Sequence, residues 1–275
     1  MRERTVYDLA ARRRFNASLH ATENVPMSTP FSPDAATAAL LAPTGRLRAS
    51  INLGNPILAG TDAATGAPRG VSVDLAHALA ERLGVPLDLV TFPAATKSVD
   101  AVTGGVADVG FFAIDPLRGA EIAFTDAYIL IEGAYLVRDD SPCHANEDVD
   151  QPGTTVVVGK GSAYDLFLSR ELTQAAFVRV PGAVEVVETL RTGGADVAGG
   201  IRQVLVEVAQ RTPGLRVLPG RFMVIRQAMG LARARGAAAE AALRAFVEDM
   251  KASGFVAEAM TRHAVAGATV APAAD

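Results

Sequence analysis

Apolar positions along the chain alternate between two periods. After a Pro/Ser/Thr-rich stretch from Pro26 to Pro33, patterned sequence begins near Gly45. Leu47 to Leu53 reads as a buried strand closed by the turn signal Gly54-Asn55-Pro56. Asp62 to Gly70, rich in Gly, Pro and Ala, reads as loop. Leu75, Leu79 and Leu83 then fall at helical spacing within Asp74–Leu83, and Gly84 with Pro86 stops that helix. Leu87 to Phe92 reads as a strand, and a second helix runs through Val99 and Val102 to Gly104-Gly105. Asp108-Val109-Gly110-Phe111-Phe112 follows as another strand. Strands that alternate with helices predict a mostly parallel sheet with helices on its faces.

One phrase recurs. Thr103-Gly104-Gly105-Val106-Ala107-Asp108-Val109 is echoed 89 residues later by Thr192-Gly193-Gly194-Ala195-Asp196-Val197. Each copy is a helix end, a glycine stop and an acid that opens an apolar strand. A second series of elements surrounds the echo: a strand Thr155–Val158, a helix Ser162–Leu172 and a helix Val184–Arg191. Two related α/β lobes with a cleft between them are therefore expected. Val217-Leu218-Pro219 and Phe222-Met223-Val224 lead to a last amphipathic helix, with Leu243, Phe246, Val247 and Met250 on one face and Gly254 at its end.

The 275 residues suit two lobes or one large domain, and a hydrophobic fraction of 49% with 20% charged residues can fill a sizeable core. Lysines and arginines number 26 against 30 acids, a net charge of -4, which offers no basic stripe to nucleic acid. The single cysteine, Cys143, excludes an internal disulfide framework and a multi-thiolate metal site. The four histidines stand far apart without ligand spacing, so no metal is expected. Residues 1–24 are Arg-rich and lack a continuous apolar run, which reads as an extension rather than a secretion signal.

Two strand-to-helix junctions have the character of anion sites. After Phe111-Phe112 comes Ala113-Ile114-Asp115-Pro116-Leu117-Arg118, where Asp115 is a candidate N-cap and Pro116 a first helical residue. Arg118 in that opening turn would offer a two-pronged donor to a carboxylate. Gly159-Lys160-Gly161-Ser162-Ala163-Tyr164-Asp165 is the second junction, with glycines for close backbone approach and Ser162 as cap. It is not a P-loop. No nucleophile elbow or paired catalytic carboxylate stands out, so no catalytic residue is assigned.

From Gly45 to about Phe255 the chain resembles the family 3 extracellular solute-binding proteins, type II periplasmic binding proteins that serve amino-acid ABC transporters. The stretches that carry the likeness are Gly70-Val-Ser-Val-Asp-Leu-Ala-His-Ala-Leu-Ala-Glu-Arg-Leu-Gly84, Pro116-Leu-Arg118, Glu121-Ile-Ala-Phe-Thr-Asp-Ala-Tyr128 and Gly159-Lys-Gly-Ser162. The resemblance implies an α/β, two-lobe type II periplasmic-binding-protein fold with a hinge of two crossing strands. Residues 1–44 would be an N-terminal extension, 45–136 plus 222–275 lobe 1, and 137–221 lobe 2. The family's carboxylate-gripping arginine falls on Arg118 and its anion loop on Gly161-Ser162-Ala163, with Lys160 beside it. The chain departs from the family at three places. Phe111, Phe112 and Ala113 stand where small hydroxyl residues are usual. Asn55-Pro56-Ile57-Leu58 stands where an aromatic is usual. Ile201 and Arg202 stand where an acid would pair a ligand's ammonium. An unpaired buried ammonium is strongly disfavoured, so with Arg202 in its place the site would prefer a second anionic or neutral polar group, and a small carboxylate or dicarboxylate is expected rather than a standard zwitterionic amino acid.

The expectation is a solute-binding protein that closes its cleft on a small carboxylate-bearing solute, an organic acid or amino-acid-like, for an ABC transporter. The partners would be that anionic or zwitterionic solute and a permease, with a monomeric chain, no cofactor and no nucleic acid. One alternative is an enzyme of the cyclohexadienyl dehydratase type on the same fold, with Asp115 or Glu132 as general acid. Another is a sensor lobe that works without a transporter. The resemblance implies the periplasm, whereas the amino terminus as written implies the cytoplasm.

Overall fold

The computed structural model describes residues 31–274. The stretch set apart as an extension is described from Phe31, and residues 1–30 lie outside the described ones. Asp34 accepts the Thr37 amide at 2.8 Å and so caps α1 (Ala35–Leu41), whose Leu41 is buried in the core. The first lobe's core thus reaches back before Gly45, with Phe31 edge-on to Phe246 at 5.7 Å.

The first series of elements is β1 (Leu47–Asn52), β2 (Gly60–Thr61), β3 (Pro68–Arg69), α2 (Val71–Leu83), β4 (Leu87–Phe92), α3 (Ala95–Thr103) and β5 (Val109–Ala113). β3 falls inside the stretch expected to be loop and pairs with β2, just before it, in a two-residue ladder. Val71, Leu75, Leu79 and Leu83 bury one face of α2, and Gly84 ends it in the left-handed conformation at φ 67°. Then comes β6 (Ile122–Arg138), 17 residues long. The second series is β7 (Thr155–Gly159), α4 (Ala163–Glu171), β8 (Ala176–Val180), α5 (Ala183–Arg191), β9 (Val197–Ile201), α6 (Arg202–Arg211) and β10 (Leu215–Val217). The chain closes with β11 (Met223–Ala232), α7 (Ala237–Ala252), α8 (Phe255–Arg262) and β12 (Ala268–Val270).

The main sheet runs β4-β1-β5-β11-β6-β9-β7-β8. Its two ends are parallel sets, β4-β1-β5 and β9-β7-β8, as the alternation of strands and helices requires. Between them lie β11 and β6, antiparallel to each other and to their neighbours. β6 pairs with β11 along Ile122–Gly133 and with β9 along Gly133–Val137, so one strand serves both lobes. β11 returns from Met223 along β6 and then alongside β5. These are the two crossing strands.

Side-chain alternation builds the second lobe's core on both faces of its sheet. Ala134, Leu136 and Val157 pack under α5 and α6 on one face, while Tyr135, Val137, Val156 and Val158 pack with Leu168 on the other. α7, the amphipathic helix expected to be the last, is followed by α8 and buries Leu243, Phe246, Val247 and Met250 in the first lobe's core. The repeated phrase has the same role in both halves. Asp108 accepts the Arg48 amide of β1 at 3.0 Å, and Asp196 accepts the Thr155 amide of β7 at 2.9 Å. Each acid therefore fastens the start of the neighbouring parallel strand.

Candidate functional site

A cavity of about 520 Å³ opens between the two parallel sets. It lies beyond the carboxyl ends of β1, β4, β5, β7, β8 and β9, where ligands collect in α/β sheets. Arg118 is on its wall. After β5 the chain makes a tight turn in which Asp115 Oδ1 accepts the Leu117 amide at 2.9 Å, and Arg118 opens a single 3₁₀ turn, Arg118–Ala120. The expected helix from Pro116 is absent because β6 begins at Ile122 and leaves room for one turn only. Arg118 as a whole is 8% exposed. Its Nη1 donates to the Ala113 carbonyl at 3.1 Å, and its Nη2 crosses the cleft to the Gly161 carbonyl at 2.9 Å. Burial pulls the arginine pKa below its usual value, and the charge of Asp115 works in the opposite direction.

Facing Arg118 is the start of α4. Ser162 is its N-cap, with Oγ accepting the Asp165 amide at 3.1 Å, while Asp165 Oδ2 reaches back to the Gly161 amide at 2.7 Å. Asp165 is buried and held by Arg179 at 2.9 Å. The Ser162 amide is taken by the Gly159 carbonyl. The Ala163 and Tyr164 amides remain free of protein acceptors among the described residues and open the helix toward the cavity. Gly161 has φ +68°, and a Cβ there would collide with Thr96 Cγ2 across the cleft. Only glycine fits this approach.

Of the other residues singled out from sequence, Asn55, Phe111, Phe112, Ala113, Lys160, Ala163 and Ile201 border the cavity. Phe111 and Phe112 are both core residues at its floor, 5% and 2% exposed, and Phe111 lies edge-on to Tyr128 at 6.3 Å. Arg202 is not on the wall. It turns away, bonded to the Gly220 carbonyl and 3.6 Å from Glu132. It supplies no charge to the cavity, which removes the ground for a second anionic group there. Glu132 lies outside the cavity too, paired with Arg221 at 2.6 Å.

Sequence reasoning missed several wall residues: Asn52 at the end of β1, Gln227 on β11, and the two segments Pro93–Ala95 and Pro181–Glu185. The signal for the last two was present. The echo extends upstream, since Phe92-Pro93 and Val180-Pro181 each end a strand and open the helix that leads to Thr-Gly-Gly. The two helix starts therefore face one cavity, and neither has a side-chain cap. Glu185, in the first turn of α5, is the acid on the wall.

Residues 56–265 match the family model for bacterial extracellular solute-binding proteins, family 3. A glutamine-binding protein from Geobacillus stearothermophilus is 24% identical over 162 residues, which span 58% of this chain and 62% of that protein's length. Among solved structures, an amino acid ABC transporter substrate-binding protein from Streptococcus pneumoniae bound to L-arginine superposes with a TM-score of 0.68. It is 19% identical, covering 81% of this chain and 96% of that one. An ancestral amino acid-binding protein, a precursor of cyclohexadienyl dehydratase, gives 0.67 at 21% identity, covering 82% and 98%. The shared fold is the two-lobed type II periplasmic-binding-protein fold.

Proposed function

The chain belongs to the bacterial extracellular solute-binding proteins of family 3, and from that premise we propose that it closes its two lobes on a small carboxylate-bearing solute. Residues 45–136 plus 222–275, together with α1, would form lobe 1, and residues 137–221 lobe 2. The observation that carries the reading is the buried guanidinium of Arg118 beside the free amides of α4. Arginine has five donors in a planar fork. Two are used on carbonyls, so others remain for a carboxylate that also reaches Ala163 and Tyr164. The uncapped starts of α3 and α5 add positive partial charge from both lobes.

An amino-acid-like solute is the better supported of the two classes. Arg202, the reason to expect an organic acid, faces elsewhere, and Glu185 gives the wall one acid, on the lobe that does not carry Arg118. The curated relative is a glutamine-binding protein, and the streptococcal structure holds L-arginine. Delivery to an ABC permease outside the cytoplasm follows from the same membership, as part of this proposal. The dehydratase alternative draws less support, because Asp115 is already paired and Glu132 lies outside the cavity.

Isothermal calorimetry with L-glutamine, L-arginine, L-lysine, succinate and prephenate tests the reading. Saturable heat from one or more amino acids is the expected result. Binding confined to succinate would refute the amino-acid class. Turnover of prephenate would replace the reading with the enzymatic one.

A further inference from the structure

A second arginine meets the binding loop from the opposite lobe. Arg170, in the last turn of α4, places Nη2 2.9 Å from Asp115 Oδ2. Asp115 is 4% exposed, and its other oxygen holds the Leu117 amide that shapes the turn into Arg118. The carboxylate also acts electrostatically on the Arg118 guanidinium. Three charges thus stand in a row across the cleft: Arg170, Asp115 and Arg118. Two of them come from one lobe and the third from the other.

The sum of these charges depends on closure. With the lobes apart, the Asp115 carboxylate would act on Arg118 without Arg170 beside it, and would offset part of the attraction that the guanidinium offers an anion. When α4 arrives, Arg170 neutralises Asp115, and the positive charge of Arg118 is left for the solute. The Gly161 carbonyl reaches Arg118 in the same movement. We infer that Arg170 is a positioning residue that completes the anion site upon closure, by pairing with Asp115 across the cleft. This rests on the proposed function for the solute, but the cross-cleft ion pair exists independently of it.

A solute held this way should leave faster once Arg170 is cut back, because truncating one partner of a desolvated charge pair acts chiefly on dissociation. For Arg170→Ala the expected dissociation rate of bound L-glutamine or L-arginine, by stopped-flow tryptophan-free methods such as a competing fluorescent solute, rises about tenfold with little change in association. Arg170→Lys keeps the charge and should recover most of that loss. A purely structural arginine would lower the thermal midpoint without touching release. Small-angle scattering of the ligand-free protein provides the independent arm. Wild type should expand as salt is raised, while Arg170→Ala should already be expanded and insensitive to salt. If neither amino acid binds wild type, the proposed function fails for those probes and the scattering alone decides this inference. Unchanged release, or without a binder an unchanged scattering profile, overturns it.

Discussion

Replacing Arg118 by alanine removes the group on which the binding proposal turns. Two donors of the guanidinium are engaged by the Ala113 and Gly161 carbonyls at 3.1 and 2.9 Å, and the residue as a whole is 8% exposed. A carboxylate seated there would be desolvated, and removing its cationic partner leaves a buried charge uncompensated, a loss of about 3–5 kcal/mol. At roughly 1.4 kcal/mol per factor of ten, affinity should fall by about two to three and a half decades. The effect on the empty protein is far smaller. Both bonds go to neutral carbonyls at a cleft that water enters, and the substitution also relieves the desolvation of a buried guanidinium. A net loss of about 1 kcal/mol would lower the midpoint by about 2–4 °C in a chain of this size. Calorimetry with an amino acid that binds wild type measures the first quantity, and a thermal melt without solute measures the second. Arg118→Lys, which retains charge without the fork, should fall between. Full affinity in Arg118→Ala would refute the assignment, and so would a collapse of the empty protein, which would mark the arginine as a structural tie.

Gly161→Ala combines a left-handed alanine, about 1 kcal/mol, with the collision against Thr96. Solute affinity should drop about tenfold or more, and adding Thr96→Ser, which deletes Cγ2, should recover the collision part only. Asp150 accepts the Thr173, Gln174 and Ala175 amides, which lower its pKa from 3.8 to about 2. Its contribution is therefore full above 3.8 and disappears as pH falls through about 2, so the melting difference between wild type and Asp150→Ala should close over that window. Asp108 is buried between Arg48 and Arg235, whereas its counterpart Asp196 has a side chain 48% exposed. Urea unfolding should show a loss of about 3–5 kcal/mol for Asp108→Ala and about 1 for Asp196→Ala.

Local signals carried much of the fold. The Leu75-Leu79-Leu83 spacing and Gly84 define α2, and Ser162 at its cap position defines the start of α4, because these choices are decided within a few residues. The crossing strands were visible only through family likeness. β6 and β11 pass through two environments and are covered unevenly, so neither keeps a single period along its length. α1 lay behind a Pro/Ser/Thr-rich stretch and owes its order to packing on α7 rather than to its own seven residues. The Gly-Gly echo was informative for a physical reason: both copies end with an acid that receives a neighbouring strand's amide, a role that fixes residue type and spacing alike.

The site divides along the same line. The positions of Arg118 and Ser162 beside the cleft were legible because each follows the carboxyl end of a parallel strand, where the chain turns toward a cleft. What spacing could not give was the partner across the gap. Arg202 follows directly on Ile201, which borders the cavity, yet the Gly220 carbonyl and Glu132 draw its guanidinium outward. Arg170 is two turns into α4, with nothing local to distinguish it from a solvated helix arginine, yet it meets the buried Asp115. A charge row assembled from both lobes is a property of the closed arrangement and not of either segment. An arginine beside a buried aspartate in one lobe is half neutralised, and only the arrival of the opposite helix restores its full attraction for an anion. A negative group that takes up this charge then adds its own hold on the closed arrangement to that of the Arg170–Asp115 pair.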